Sequence, residues 1–117
     1  MVRMENHLGI IEISQEYFSY LVGHAVGSCY GVAGMVRSGA RQGLRSIFTR
    51  RAHADDGVIV HSDGDRLVID VHIAVVNGIN IAAISRSIVN KVRYAVEEET
   101  GLEVRKVNVF VDQMKAD

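Results

Sequence analysis

The sequence predicts an α+β domain: a small mixed sheet with two main helices packed on one face, in the order β-α-β-(short α)-β-β-α-β. Three observations carry this. Gly78 to Val111 reads as a turn, an amphipathic helix, a glycine stop and an alternating strand. A second apolar stripe at helical spacing lies near the start, and between the two is a hairpin with one wholly aliphatic face.

The elements follow in order. Leu8 to Ile13 reads as a short strand with Ile11 and Ile13 on one side of the pleat. Ser14 caps a helix whose Tyr17, Phe18, Leu21, Val22, Ala25 and Val26 form a core-facing stripe. Gly23 and Gly27 lie along another edge with Ser19. Each glycine costs a helix about 1 kcal/mol against alanine, so either close packing against a neighbour or a smooth self-association surface is expected there. The chain then turns into a strand around Val32 to Val36. Val58 to Val60 and Leu67 to Val75 make a hairpin around Asp63-Gly64. That loop would set Val60 opposite Leu67 and Val58 opposite Ile69, with Val58, Val60, Leu67, Ile69, Val71, Ile73 and Val75 on one face. Two helices are the simplest cover for such a face. His61, Arg66, Asp70 and His72 fall on the other face. Asn80 is placed as the N-cap of the second main helix, and Ile79 and Ile84 as a hydrophobic staple. Ile81, Ile84, Ile88, Val92, Ala95 and Val96 make its apolar face, and Gly101 its left-handed stop. Val107, Val109 and Val111 alternate as a half-buried strand.

Composition bounds the function. The chain has 117 residues, 48% of them hydrophobic and 23% charged, which is ordinary for one globular domain spanning residues 1–117. The net charge of −1 gives no global pull toward nucleic acid or lipid. No apolar run is long enough to span a bilayer, and the first residues lack the apolar core of a secretion signal. The single cysteine forms no intrachain disulfide, so a reducing cytoplasm is the simplest compartment.

No constellation points to catalysis. The five histidines show no metal-ligand spacing, and Cys29 has no base beside it and suits a small buried apolar role. No phosphate-binding glycine loop is present. The expectation is no catalytic residue, no metal and no cofactor. Two charge blocks stand out instead. Arg37, Arg41, Arg45, Arg50 and Arg51 fall in a segment without an acid, and the first three would stack on one helical face with Leu44, Ile47 and Phe48 on another. This is either a solvated cationic face or a patch for anionic lipid, an acidic partner or an acidic face of a second copy. Glu97, Glu98 and Glu99 sit at a helix C-terminus, where the macrodipole disfavours exposed acids by about 0.3–1 kcal/mol each. Arg93 is placed to pair with Glu97. The acidic end is either a solvated turn or the complement of the arginine segment, within one molecule or between two. Gly31-Val-Ala-Gly34 formally matches the Gly-x-x-Gly of KH domains. An RNA-binding module using Gly31 to Gly34 and the neighbouring arginines is therefore the alternative reading, although that motif should join two helices and here leads into a strand.

Several of these pieces together resemble the alkaline shock protein family, envelope stress response proteins of Gram-positive bacteria. They are Gly9-Ile-Ile-Glu-Ile-Ser14, Gly31-Val-Ala-Gly-Met35, Leu67-Val-Ile-Asp-Val-His-Ile73, Asn77-Gly-Ile-Asn-Ile81, and Thr100-Gly-Leu-Glu-Val104 leading to Val107-Asn-Val-Phe-Val111. The resemblance implies a small α+β domain with no catalytic activity and no cofactor. It implies a cytoplasmic, membrane-proximal scaffold that self-associates as a homo-oligomer and is held by a small membrane-spanning anchor protein. It also implies a part in cell-envelope homeostasis or stress response. The family offers no catalytic residues to carry over. This chain departs from the pattern in lacking long charged tails and in the arginine content of its middle segment.

Overall fold

The computed structural model describes residues 2–35 and 57–115. The elements are β1 (Val2–Asn6), β2 (Gly9–Ile13), α1 (Gln15–Gly27), β3 (Val32–Met35), β4 (Val58–Asp63), β5 (Arg66–Val76), α2 (Ile81–Thr100) and β6 (Glu103–Lys115). The α+β class and the order of the main elements are as the sequence predicts. The short helix expected within 37–51 lies outside the described residues.

β5 is the spine of a four-stranded mixed sheet. Its inward positions Leu67, Ile69, Val71, Ile73 and Val75 are all buried. β6 runs parallel to it along its whole length, and α2 supplies the crossover that a parallel pair requires. The other edge is shared: β4 pairs antiparallel with the first half of β5, and β3 with the second half. Met35 stands opposite Ile73 and Val58 opposite Val71, while the Gly57 carbonyl accepts from the His72 amide at 2.8 Å. The chain therefore leaves this edge and rejoins it at nearly the same place.

Both main helices pack on the inward face. α1 contributes Phe18, Val22 and Val26 to the core, and α2 contributes Ile84, Ile88, Val92 and Val96, all buried. The caps are the expected ones. The Ser14 hydroxyl accepts from the Tyr17 amide at 3.1 Å, and the Asn80 side chain from the Ala83 amide at 3.0 Å. Gly101 takes φ +74° and donates to the Glu97 carbonyl at 2.9 Å. Ile81 departs from the expected apolar face. It is the first helical residue and is exposed.

Three details differ from expectation. First, the strand at 9–13 has an antiparallel partner in β1, and the pair forms a separate two-stranded sheet. Val2 and Met4 face Ile13 and Ile11, Arg3 and Glu12 pair at 3.2 Å on the other face, and the Asn6 carboxamide accepts from the Leu8 amide to close the turn. Second, the β4–β5 loop is Gly64-Asp65, with Asp63 opposite Arg66, so Val60 meets Ile69 and Val58 meets Val71. Gly64 takes φ +69° as the first loop residue, the position a II′ turn reserves for glycine. Moving the loop by one residue slides the pairing by two, which preserves the inward face because side chains alternate with period two. Third, Gly23 and Gly27 are not sites of close approach. A Cβ on Gly23 would sit 3.8 Å from the Met35 sulfur, an ordinary contact, and one on Gly27 would meet nothing within 4 Å.

Candidate interaction site

The predicted acidic patch divides into two parts. Glu97 is half-buried and accepts from the Val104 amide at 2.8 Å, while Arg93 donates to the Val104 carbonyl at 3.2 Å. The two side chains, one helical turn apart, hold both backbone groups of one residue at the point where β6 joins the sheet. Glu97 is thus part of the α2–β6 connection. Glu98 and Glu99 are exposed, and among the described residues neither has a partner. No basic residue lies in the last turn of α2. The negative end of the helix dipole and two carboxylates therefore add at one place.

That place borders a groove. Tyr20, Leu21, His24 and Ala25 of α1 and Tyr94, Ala95, Glu98 and Glu99 of α2 enclose an open trough of about 430 Å³. Its floor is Leu21, Ala25 and Ala95, each half-buried. Tyr20 and Tyr94 stand at 70% and 68% exposure, two large rings held in solvent by helices whose apolar stripes point the other way. Neither tyrosine belongs to a core stripe, so helical periodicity does not single them out. Their signal in the sequence is an aromatic ring on the polar side of each helix. Arg37, Arg41, Arg45, Arg50 and Arg51 lie outside the described residues.

The outward face of the sheet is organised by its own side chains. His72 stacks on Phe110 with centroids 4.7 Å apart, and its Nδ1 lies 2.8 Å from Asp112 Oδ2. The Asn108 amide donates to Asp70 at 2.8 Å, and Arg66 pairs with Glu103 at 3.7 Å. Among the described residues no group of three or more His, Cys, Asp or Glu side chains could hold a metal ion. Cys29 is buried and receives the Ser87 hydroxyl at 3.7 Å.

The Gly-x-x-Gly segment lies as the sequence places it, after one helix and leading into a strand. Gly31 is in the turn after α1, its carbonyl accepting from the Val76 amide at 3.0 Å, and Gly34 lies inside β3 opposite Ala74. The tetrapeptide is a turn entering a sheet edge, not a loop between helices. Gly31 is required by packing. It takes φ +95°, and a Cβ there would sit 2.6 Å and 2.7 Å from Ile79 side-chain carbons and 3.1 Å from Ile84 Cδ1. The staple residues converge on the space that a side chain would occupy.

Fold and surface define a small α+β domain that covers one face of a mixed sheet with two helices and presents a charged, aromatic-walled groove on top of them. The chain belongs to the alkaline shock protein family, described as having a cell envelope-related function, whose model matches residues 3–116. It is 31% identical over 115 residues to the uncharacterized protein YloU of Bacillus subtilis, covering 97% of this chain and 95% of that one. It is 29% identical to the uncharacterized protein Spy1614 of Streptococcus pyogenes, covering 97% and 94%. Among solved structures, a MamM CTD variant in a zinc form is similar at 15% identity and a TM-score of 0.47, covering 87% of this chain and 85% of that one. Among the described residues, no helix is long and apolar enough to cross a membrane.

Proposed function

We propose that this protein is a non-enzymatic, self-associating scaffold near the cytoplasmic face of the membrane, acting in cell-envelope homeostasis or stress response. The observation that carries the reading is the distribution of large apolar side chains on the surface. Leu8 at the tip of the β1–β2 hairpin is 84% exposed, Tyr30 after α1 is 90% exposed, and Tyr20 and Tyr94 flank the groove. Single exposed apolar side chains are ordinary on a surface, but the two tyrosines grouped over the apolar floor of the groove suit a contact with another protein. The family's cell envelope-related function supports the location. The arginine segment supplies the cationic contact, Arg37, Arg41, Arg45, Arg50 and Arg51, and the end of α2 supplies the complementary acids Glu98 and Glu99. Glu97 contributes charge there while holding Val104. A small membrane-spanning protein serves as the anchor, and an anionic lipid surface is a further contact for the arginines.

Sedimentation velocity at about 0.05 M and about 1 M salt tests the association. Raising salt shortens the screening length to about 3 Å, so ionic contacts between copies weaken and the mean size falls. Association that is unchanged at high salt rules out the ionic contact. Fractionation of native cells tests location, and recovery of the protein with ribosomes in place of membranes would refute it.

A further inference from the structure

We propose that the α1/α2 groove is the receiving half of the contact between copies, and that its occupant is the segment Arg37–Arg51 of a second copy. This rests on the self-association reading above and gives it a place on the molecule. The groove and the segment match in three respects. The floor of Leu21, Ala25 and Ala95 is apolar, and the segment offers Leu44, Ile47 and Phe48. Glu98 and Glu99 bring negative charge to one end, with no basic residue in that helical turn, and the segment has five arginines and no acid. Tyr20 and Tyr94 present exposed rings, on which guanidinium groups stack favourably.

Two other occupants fit less well. The same groove of a second copy, brought up on a two-fold axis, would set Glu98 and Glu99 against like charge. An anionic lipid surface would meet the same repulsion. The flanks of the segment also suit a reach between molecules. Met35 and Gly57 are neighbours at one sheet edge, so the chain between them starts and ends at one place. Half of that length, at about 3.3–3.6 Å per extended residue, allows a reach of up to roughly 35 Å. Because donor segment and receiving groove are different surfaces, the contact is heterologous, and a copy engaged by its segment still has its groove free.

Mixing full-length variants tests this. Glu98→Lys/Glu99→Lys disables the groove and leaves the segment intact, whereas Arg41→Glu/Arg45→Glu disables the segment and leaves the groove intact. By sedimentation velocity each variant alone is monomeric where the wild type associates. An equal mixture of the two associates, because the intact segment of one meets the intact groove of the other and the two reversed surfaces also match in charge. The four-fold variant, with both charges reversed, associates again. Thermal unfolding guards against loss of fold. The substitutions at the end of α2 place cations where the dipole favours them and should leave Tm unchanged or raised. A mixture that stays monomeric overturns the assignment, as does unimpaired association of either variant alone. A wild type that is itself monomeric refutes the self-association reading. A wild type that associates identically to both variants refutes only the groove.

Discussion

Substituting Gly31 by alanine separates a packing glycine from a ligand-binding one. The residue has φ +95° and cannot rotate away freely, because its carbonyl accepts from the Val76 amide and the next amide, Val32, donates to the Cys29 carbonyl. An L-residue held at positive φ costs about 1–2 kcal/mol. The new methyl would also sit 2.6–2.7 Å from Ile79 carbons and 3.1 Å from Ile84. Ile84 is buried and Ile79 is packed against the core, and overpacking of this kind costs about 1–3 kcal/mol. Gly31→Ala should therefore lose about 2–5 kcal/mol in urea unfolding. The two contributions come apart in a double-mutant cycle. Ile79→Ala removes the two closest atoms and leaves φ as it was, so the double variant should be more stable than the sum of the single losses by roughly 1 kcal/mol or more. Gly34→Ala is the control: its Cβ would meet nothing within 4 Å, and its stability should change by less than about 0.5 kcal/mol. A Gly31→Ala loss below about 1 kcal/mol, or the absence of coupling to Ile79, would falsify the packing account.

Three further outcomes follow from the helices. Gly23→Ala gains up to about 1 kcal/mol from helix propensity, since its methyl meets Met35 at ordinary contact distance. If sedimentation shows that this variant no longer associates, the helix edge is itself a contact surface. Glu97→Ala strands the Val104 amide, a loss of about 1–3 kcal/mol offset by about 0.3–1 kcal/mol from removing an acid at the helix end, so chemical denaturation should show a net loss near 1 kcal/mol. Glu98→Ala, at the adjacent position but free of any described partner, should instead gain a few tenths of a kcal/mol in the same assay.

Much of this fold was legible because its signals are local. A cap needs only Asn80 and the amide of Ala83, and a stop needs only Gly101 and the carbonyl of Glu97. The aliphatic face of β5 survives even an error in the turn, since parity and not register decides which side chains are buried. β1 carried a signal too: Val2 and Met4 alternate with Arg3 and Glu5 ahead of an Asn-initiated turn. The pairing of β5 with β6 had no local signal, because parallel neighbours meet through a helix and the chain between them does not encode which edge is free. The groove was not legible for the same kind of reason. Tyr20 and Tyr94 are far apart in sequence, and neither belongs to the stripe that defines its helix. Only the packing of α1 on α2 brings the rings to opposite walls.

The three consecutive glutamates show how a structure divides what composition lumps together. All three are placed where the helix dipole opposes them. Glu97 offsets its share by accepting from Val104, and Arg93 completes that clamp from the preceding turn. Glu98 and Glu99 have no such compensation among the described residues, yet they stand beside the apolar floor and exposed tyrosines of the groove. A merely solvated turn would be equally well served by neutral or basic residues, which would also stabilise the helix. Acids kept at a cost to the helix gain a reason once a cation approaches, because the same dipole that penalises them then adds to the attraction. The energetic penalty and the proposed arginine contact are thus two consequences of one electrostatic arrangement. Charge reversal at these two positions should move stability and association in opposite directions.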